Sequence, residues 1–567
     1  MRRIVLFVVL AAAVGASLAT GQPIPPPQTR PGQVTPQASP ARAGATGVLR
    51  GVVIAADTGR ILRRARVTLS APGLRESRAT TTDLEGRWEF KNLPAARFTL
   101  AASKPQYVTL EYGQRIPTEP GRPIELAAGQ TIERLAFQLP RGSVIAGSVV
   151  DDLGEPAASI RLQAFRLQYV NGRRQLGPMG GFALTDDLGQ YRLAGLPPGT
   201  YYVGSAATLW GGSPEDVGIS FGDTYYPGTL RPSEAKPVAV RLGQERLNVD
   251  LSLQTVRLAS LSGVVIDSQG TPVANSSITL MQMRQSATVT TVVSTSGAAT
   301  TAADGRFTVA NVAPGEYSLS SLGTAPRFDV ATERGSVSVS VTGEDIDGLV
   351  IALHKGSRVT GQIEFEGDSR PPLTPAIRIY AREPDGGQGM NLPGTSTINE
   401  DWSFEIVGVS PGKRLFRMTG LPATHALKSV FVAGEDVIDT VTPFDGKEAV
   451  SDVRLVVTNR VTTIAGGVTD DQGRPVQDYT VVAFASDPEK WNAGTRFIAS
   501  ARPDQHGRFA VTGLPPGEYL VAALEYLERG QSEDPEFLSS IKDRATPISL
   551  AEGEQKSVDL KVIGPER

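Results

Sequence analysis

Gly195-Leu196-Pro197-Pro198-Gly199-Thr200-Tyr201 and Gly513-Leu514-Pro515-Pro516-Gly517-Glu518-Tyr519 are two copies of one segment, in which an apolar strand meets a Pro/Gly turn and leaves as an aromatic strand. Val312-Ala313-Pro314-Gly315-Glu316-Tyr317 is a third copy. Val409-Ser410-Pro411-Gly412-Lys413-Arg414-Leu415 and Leu93-Pro94-Ala95-Ala96-Arg97-Phe98 are looser copies. Proline presets φ and glycine admits positive φ, so each segment predicts a chain reversal, read here as a hairpin with inward aromatics. Copies about 100 residues apart are spaced too widely for a solenoid and suit one β-sandwich each.

Each repeat opens on a strand that begins at glycine: Gly51, Gly147, Gly263, Gly361 and Gly466. Asp/Gly turns follow at Asp57-Thr58-Gly59, Asp152-Leu153-Gly154, Asp267-Ser268-Gln269-Gly270 and Asp471-Gln472-Gly473, where Asp bonds its own backbone. Second strands alternate, with Val67 and Leu69, Ile160 and Leu162, Ile278 and Leu280, Ile377 and Ile379, and Thr480, Val482 and Phe484 expected on a buried face whose opposite side is solvated. Third strands place Trp88 and Phe90, Tyr191 and Leu193, Phe307 and Val309, Trp402 and Phe404, and Phe509 and Val511 inward. After the Pro/Gly segment the inward set is Phe98 and Leu100, Tyr201 and Val203, Tyr317 and Leu319, Leu415, and Tyr519 and Val521. Linkers such as Pro140-Arg141-Gly142-Ser143 are short, which predicts a stiff rod of domains.

The pattern of Gly-Val-Val, Asp-x-x-Gly and Leu-Pro-Pro-Gly-x-Tyr resembles the carboxypeptidase regulatory-like domain, a transthyretin-like or prealbumin-like sandwich appended to metallocarboxypeptidases. The resemblance recurs over nearly the whole mature chain and is loosest in the fourth unit, where Glu400-Asp401 replaces the turn glycine. It implies an exported multidomain protein of acidobacterial type, and it implies a fold more than an activity. The expected fold is all-β: a tandem array of about five Ig-like or transthyretin-like β-sandwich domains behind a signal peptide and a disordered linker. The units are expected at 47–140, 141–256, 257–355, 356–459 (divergent) and 460–567.

The chain begins with Met1-Arg2-Arg3, an apolar run from Ile4 to Val14 and small residues at Ser17, Ala19 and Gly21. This reads as a secretory signal peptide at 1–21, cut after Ala19 or Gly21 and too short in its apolar stretch to span a bilayer. Residues 22–46, with Pro25-Pro26-Pro27, read as an extended spacer. The formal charge of −3 becomes −5 once Arg2 and Arg3 leave with the leader, so no basic face for nucleic acid is expected. The chain has no cysteine, which excludes disulfides, thiol catalysis and a lipid-bearing cysteine. No further membrane span, and no anchor after Gly564-Pro565-Glu566-Arg567, is expected. The protein is expected to be extracytoplasmic, with periplasmic, cell-surface and secreted forms all open.

A zinc peptidase needs clustered His and Glu, but His354, His425 and His506 fall in separate units without ligand spacing. No Gly-x-Ser-x-Gly elbow is present, and no first strand carries the lysine of an isopeptide staple. The Asp pairs Asp151-Asp152, Asp186-Asp187 and Asp470-Asp471 lack the alternation of a calcium loop and read as turn caps. No catalytic, cofactor or metal residue is therefore assigned.

Four loop aromatics remain as candidate ligand contacts: Trp210, Tyr225, Tyr226 and Trp491. Two Asp-Pro-Glu starts, at Asp487 and Asp534, predict capped helical turns, the second carrying Phe537, Leu538 and Ile541 on one face of the last unit. The expected role is an exported, non-catalytic scaffold or adhesion protein. The alternative is carbohydrate binding through the loop aromatics, and more remotely an accessory subunit of a secreted peptidase. Partners are expected among cell-envelope or extracellular polysaccharides or proteins.

Overall fold

The computed structural model describes residues 46–564, apart from 72–73, 75, 206–218, 287–288, 324–332, 368, 385–394, 448 and 493. The leader, the spacer up to residue 45 and Trp210 lie outside the described residues.

The protein is all-β, and its buried apolar residues form five principal clusters spanning 49–139, 145–253, 259–353, 359–457 and 464–560. In the first repeat one sheet has the order Arg87–Leu93, Gly47–Ala55, Thr131–Leu139. The facing sheet runs Arg78–Thr81, Arg66–Ser70, Ala96–Ser103, with Leu110–Glu111 and Ile124–Leu126 also on Ala96–Ser103. The first and last strands of the repeat pair in parallel. The same parallel pairing recurs in the other four repeats.

The Pro/Gly segment is not a hairpin. Gln190–Leu196 pairs with the opening strand Ser143–Val150 in one sheet, whereas Gly199–Ser205 pairs with Arg161–Val170 in the other. The other four copies divide in the same way. The segment is thus a corner that carries the chain across the sandwich. The residue three before the second proline position is left-handed in every copy: Asn92, Gly195, Asn311, Gly408 and Gly513 have φ between 56° and 83°. Asn and Gly are the residues that visit this region at least cost.

The tyrosine after the corner secures it. Tyr201 Oη donates to Pro197 O at 2.6 Å and Tyr519 Oη to Pro515 O at 2.7 Å. In the fourth repeat Arg414 stands at this position, 3% exposed, with Nε donating to Ser410 O at 3.1 Å and Nη1 pairing with Glu383 at 2.9 Å. The inward pair there is Arg414 and Phe416 rather than Leu415. Burial pushes the Tyr201 hydroxyl up to about 12, against the lowering pull of Arg166. Raised above its unfolded value, it contributes stability in full below about pH 10, and this is lost as pH climbs toward 12. Tyr519→Phe, which orphans a buried carbonyl, is expected to cost about 1–2 kcal/mol in denaturant unfolding.

The glycine expected to begin each opening strand lies inside it. A Cβ on Gly51, Gly147, Gly263, Gly361 or Gly466 would sit 1.7–2.2 Å from a carbonyl oxygen of the repeat's own last strand. On the third strand an aromatic pairs with this glycine: Gly51 with Trp88, Gly147 with Tyr191, Gly263 with Phe307, Gly361 with Phe404 and Gly466 with Phe509. In the fourth repeat that register adds Ile406 to the expected inward residues Trp402 and Phe404, all three of which are buried in its core. Trp402 enters that core from the left-handed turn position (φ 66°) taken by Gly86, Gly189, Gly305 and Gly507 elsewhere. Its ring is held edge-on to Phe365 at 4.6 Å.

The fifth repeat departs in another way. Thr480–Ala485 is buried on both faces. Val481 and Ala483 face the sandwich core, while Val482 and Phe484 pack with Leu538 and Ile541 of the helix Pro535–Ile541. The helix starts as expected, with the Asp534 side chain accepting from Glu536 N at 3.0 Å. What was read as the core face of this strand is the face the helix covers.

A rod is not what forms, because the first repeat meets the fifth. Arg529 Nη2 reaches both carboxylate oxygens of Glu111 at 2.7 Å, Thr118 and Tyr526 share a hydrogen bond of 2.6 Å, and Arg122 donates to Asp504 O at 2.7 Å. The Gln505 amide both donates to Glu125 O and accepts from its N–H. At the centre Glu119, 0% exposed, faces Arg502, 3% exposed, at 3.7 Å. Arg502 also pairs with Asp478 at 2.6 Å, and Arg115 completes the balance by pairing with Asp478. The fifth repeat further touches the second, where a Cβ on Gly172 would lie 2.1 Å from Glu533 O, and the fourth, through Arg496–Asp439 and Lys428–Glu552. Short linkers restrict each join but leave its angle open, so side-chain pairing between distant repeats decides the arrangement.

Candidate functional site

Tyr225 and Tyr226, two of the candidate loop aromatics, belong with Asp223 to a loop that returns onto the second sandwich. Tyr225 is 1% exposed, and its ring packs against Phe165 with centroids 5.9 Å apart. Tyr226 is partly buried against the core of the same repeat. Trp491 is 6% exposed; its Nε1 donates to Ala485 O at 2.7 Å and its ring meets Phe484 edge-on at 5.5 Å. Trp491 and Tyr225 are taken up by packing and Tyr226 partly so, and a stacking platform for a sugar needs exposed faces. Trp491 and Tyr225 pack in separate clusters, the first with Phe484 and the second with Phe165. Trp491→Ala is expected to destabilise the fifth repeat by roughly 3–5 kcal/mol in denaturant unfolding. A ligand platform would show the reverse pattern, with binding lost and stability kept.

A cleft of about 580 Å³ lies where the second and third repeats meet, and Asp223, Tyr225 and Arg231 line it beside Gln282 and Glu316. Gln282 Nε2 donates to Asp223 Oδ2 at 3.0 Å across the junction, and Ser340 Oγ donates to Glu316 at 2.6 Å. Charged groups of both signs and an amide give it hydrogen-bonding capacity, and among the described residues that line it no nucleophile and base are in contact. Gln282 and Glu316 escaped sequence reasoning because they lie far along the chain from Asp223, on regular strands.

The histidines stay apart. His425 Nε2 contacts Ser369 O at 3.1 Å, His506 lies in a turn whose N–H donates to Asp504, and His354 pairs through its backbone with Arg334. Among the described residues no group of three or more His, Asp or Glu is placed to hold a metal ion. The turn carboxylates are occupied by backbone donors. Asp151 Oδ1 accepts from Leu153 N and Glu155 N, Asp186 Oδ1 from Leu188 N and Gln190 N, and Asp470 Oδ1 from Gln472 N and Arg474 N. The first Asp of each pair caps the turn, not the second as its spacing to glycine suggested. Among the described residues no helix is long and apolar enough to cross a membrane.

The corner, the crowded glycine and the parallel closing strand are shared by all five repeats, and two of these are recognisable by sequence comparison. Residues 48–140 and 463–562 match the carboxypeptidase regulatory-like domain. The two matched regions are the first and fifth repeats, the pair that meets across Glu119 and Arg502. No curated protein matches significantly. Among solved structures the chain is similar to a streptococcal ancillary pilin, at 15% identity over 55% of this chain and 99% of that one, with a TM-score of 0.20. It is similar also to the TIE protein of Bacillus anthracis, at 12% identity over 74% and 76% with a TM-score of 0.15. A third is GBS52, the minor pilin of Streptococcus agalactiae, at 12% identity over 37% and 96% with a TM-score of 0.19. TM-scores of this size carry no argument about role or arrangement.

Proposed function

We propose that the chain is an exported, non-catalytic scaffold of five sandwich domains, at 47–140, 141–256, 257–355, 356–459 and 460–567, that serves adhesion or interaction outside the cytoplasm. The observation that carries this reading is where the recurring residues go. The corner tyrosines close corners, the strand glycines admit a neighbouring carbonyl, and the turn aspartates cap turns. Each repeated motif is consumed by folding, and what differs from copy to copy is loops and junctions. The regulatory-like domain match is compatible with the same reading, since a shared fold by itself carries no activity. The leader, with Arg2 and Arg3 ahead of an apolar run, supports export, and cell-envelope polysaccharides or proteins are the proposed partners.

Fractionation of producing cells tests this directly. The chain is expected in the extracytoplasmic fraction with its leader removed, and the purified chain is expected to be retained by envelope preparations. Recovery in the cytoplasm with the leader intact would overturn export. Turnover of peptide or glycan substrates by the purified chain would overturn the non-catalytic assignment.

A further inference from the structure

Two residues before the turn glycine, or its counterpart Ala96, the corners carry Pro94, Pro197, Ala313 and Pro515, but the fourth carries Ser410. Ser410 is 7% exposed, and its Oγ has no hydrogen-bond partner among the described residues. It lines a cavity of about 240 Å³ at the junction of the third and fourth repeats. Arg334 and His354 line the same cavity. Each donates its backbone N–H to the other's carbonyl, at 2.9 and 2.8 Å, which sets their side chains on one face.

Arg334 Nε and His354 Nδ1 are buried and unpartnered among the described residues. The guanidinium lies on the corner itself: a Cβ at Gly408 would come within 2.5 Å of Arg334 Nη2. The adjacent carboxylate, Glu333, is engaged elsewhere, accepting from Ser268 N at 3.1 Å and Ser268 Oγ at 2.7 Å. Burial lowers the Arg334 pKa. A partly buried cation with no ion pair among the described residues, beside two orphaned hydrogen-bonding atoms, is costly, and an anion placed among them offsets that cost.

We propose that this junction binds a small oxyanion, a carboxylate or a phosphate, paired with Arg334 and hydrogen-bonded by Ser410 Oγ and the Nδ1–H tautomer of His354. The cavity is below the roughly 300–1,000 Å³ of sites for drug-sized ligands and suits a single acidic group. The site does not depend on the scaffold reading. Because Arg334 and Ser410 come from successive repeats, occupancy fastens one to the other.

Isothermal titration calorimetry of the full chain with inorganic phosphate, and separately with sodium glucuronate, tests the site at ionic strength held constant with chloride. One saturable site per chain is expected for at least one of the two. Arg334→Gln is expected to weaken it at least about tenfold, and Ser410→Ala by about two- to tenfold. Ser410→Ala places at this corner the residue the third repeat already has, Ala313, so its fold is expected to be unchanged. Saturation by phosphate alone identifies a phosphate site and by glucuronate alone a carboxylate site. The absence of saturable heat with both, or identical isotherms for the parent chain and Arg334→Gln, overturns the proposal.

Discussion

Gly466→Ala is expected to unfold the fifth repeat, whereas Gly467→Ala, one residue on, is expected to leave it folded. A Cβ at Gly466 would lie 1.9 Å from Val558 O and 3.2 Å from the Phe509 ring. The obstacle is the backbone of the closing strand, and backbone cannot rotate aside as the end of a side chain can. Relief requires Val558 to retreat, which breaks the parallel ladder of Thr463–Gly466 with Gln555–Ser557. Overpacking of this kind costs roughly 3 kcal/mol or more. At Gly467 the nearest atom to a Cβ is Asp559 Oδ1 at 3.8 Å, and its φ is not left-handed. Alanine there is expected to be neutral or to stabilise by about 0.4–1 kcal/mol through the unfolded chain. Denaturant unfolding of the two variants, with proteolysis to locate the opened segment, checks the contrast. Equal stability of the two would show that the closing strand yields.

Arg502→Ala is expected to part the first repeat from the fifth. Glu119 is fully buried and keeps its backbone donors Arg115 N and Ile116 N, but it would lose the guanidinium facing it. Breaking a buried ion pair from one side costs roughly 3–5 kcal/mol. Two repeats with cores of their own can avoid that cost by separating and letting water reach the carboxylate. The expected result is a larger radius of gyration in small-angle scattering and faster proteolysis in the Glu111–Arg122 loop. Arg502→Met combined with Glu119→Gln removes both charges and leaves the Arg115–Asp478 pair, so the compact dimensions are expected to return. Arg529→Ala, which removes a more exposed partner of Glu111, is expected to cost less than about 1 kcal/mol. An unchanged radius in Arg502→Ala would remove this pair from the closure.

The sheet content and the repeat were legible in the sequence because turn chemistry and period-two alternation are local. Trp88, Tyr191, Phe307 and Phe509 face inward as their alternation predicts. The errors share one cause, which is that local pattern does not say which strand lies alongside. The corner reads as a hairpin because proline and glycine reverse a chain equally well within a sheet or between two. Trp402 is buried in the core as expected, but local pattern did not show that it holds the turn position glycine takes in the other repeats. Val482 and Phe484 alternate correctly, but the helix that covers them lies over 50 residues further on.

The loop aromatics illustrate the opposite failure. Trp491 looked free because no alternation claimed it, yet its indole is satisfied by Ala485 O only six residues away. The oxyanion junction left a single trace in the sequence, the serine at a position where the other corners carry proline or alanine. Its partners Arg334 and His354 carry no distinguishing spacing, and only the meeting of two repeats brings them to Ser410.

The contacts that join the first repeat to the fifth link residues up to 418 positions apart. Each sandwich can form from its own strands as it emerges, but this seam has no second half until the last repeat exists. Maturation should therefore have two separable stages: five local events, then one slow docking step across nearly the full length of the chain. The final repeat acts as a keystone in time as well as in space.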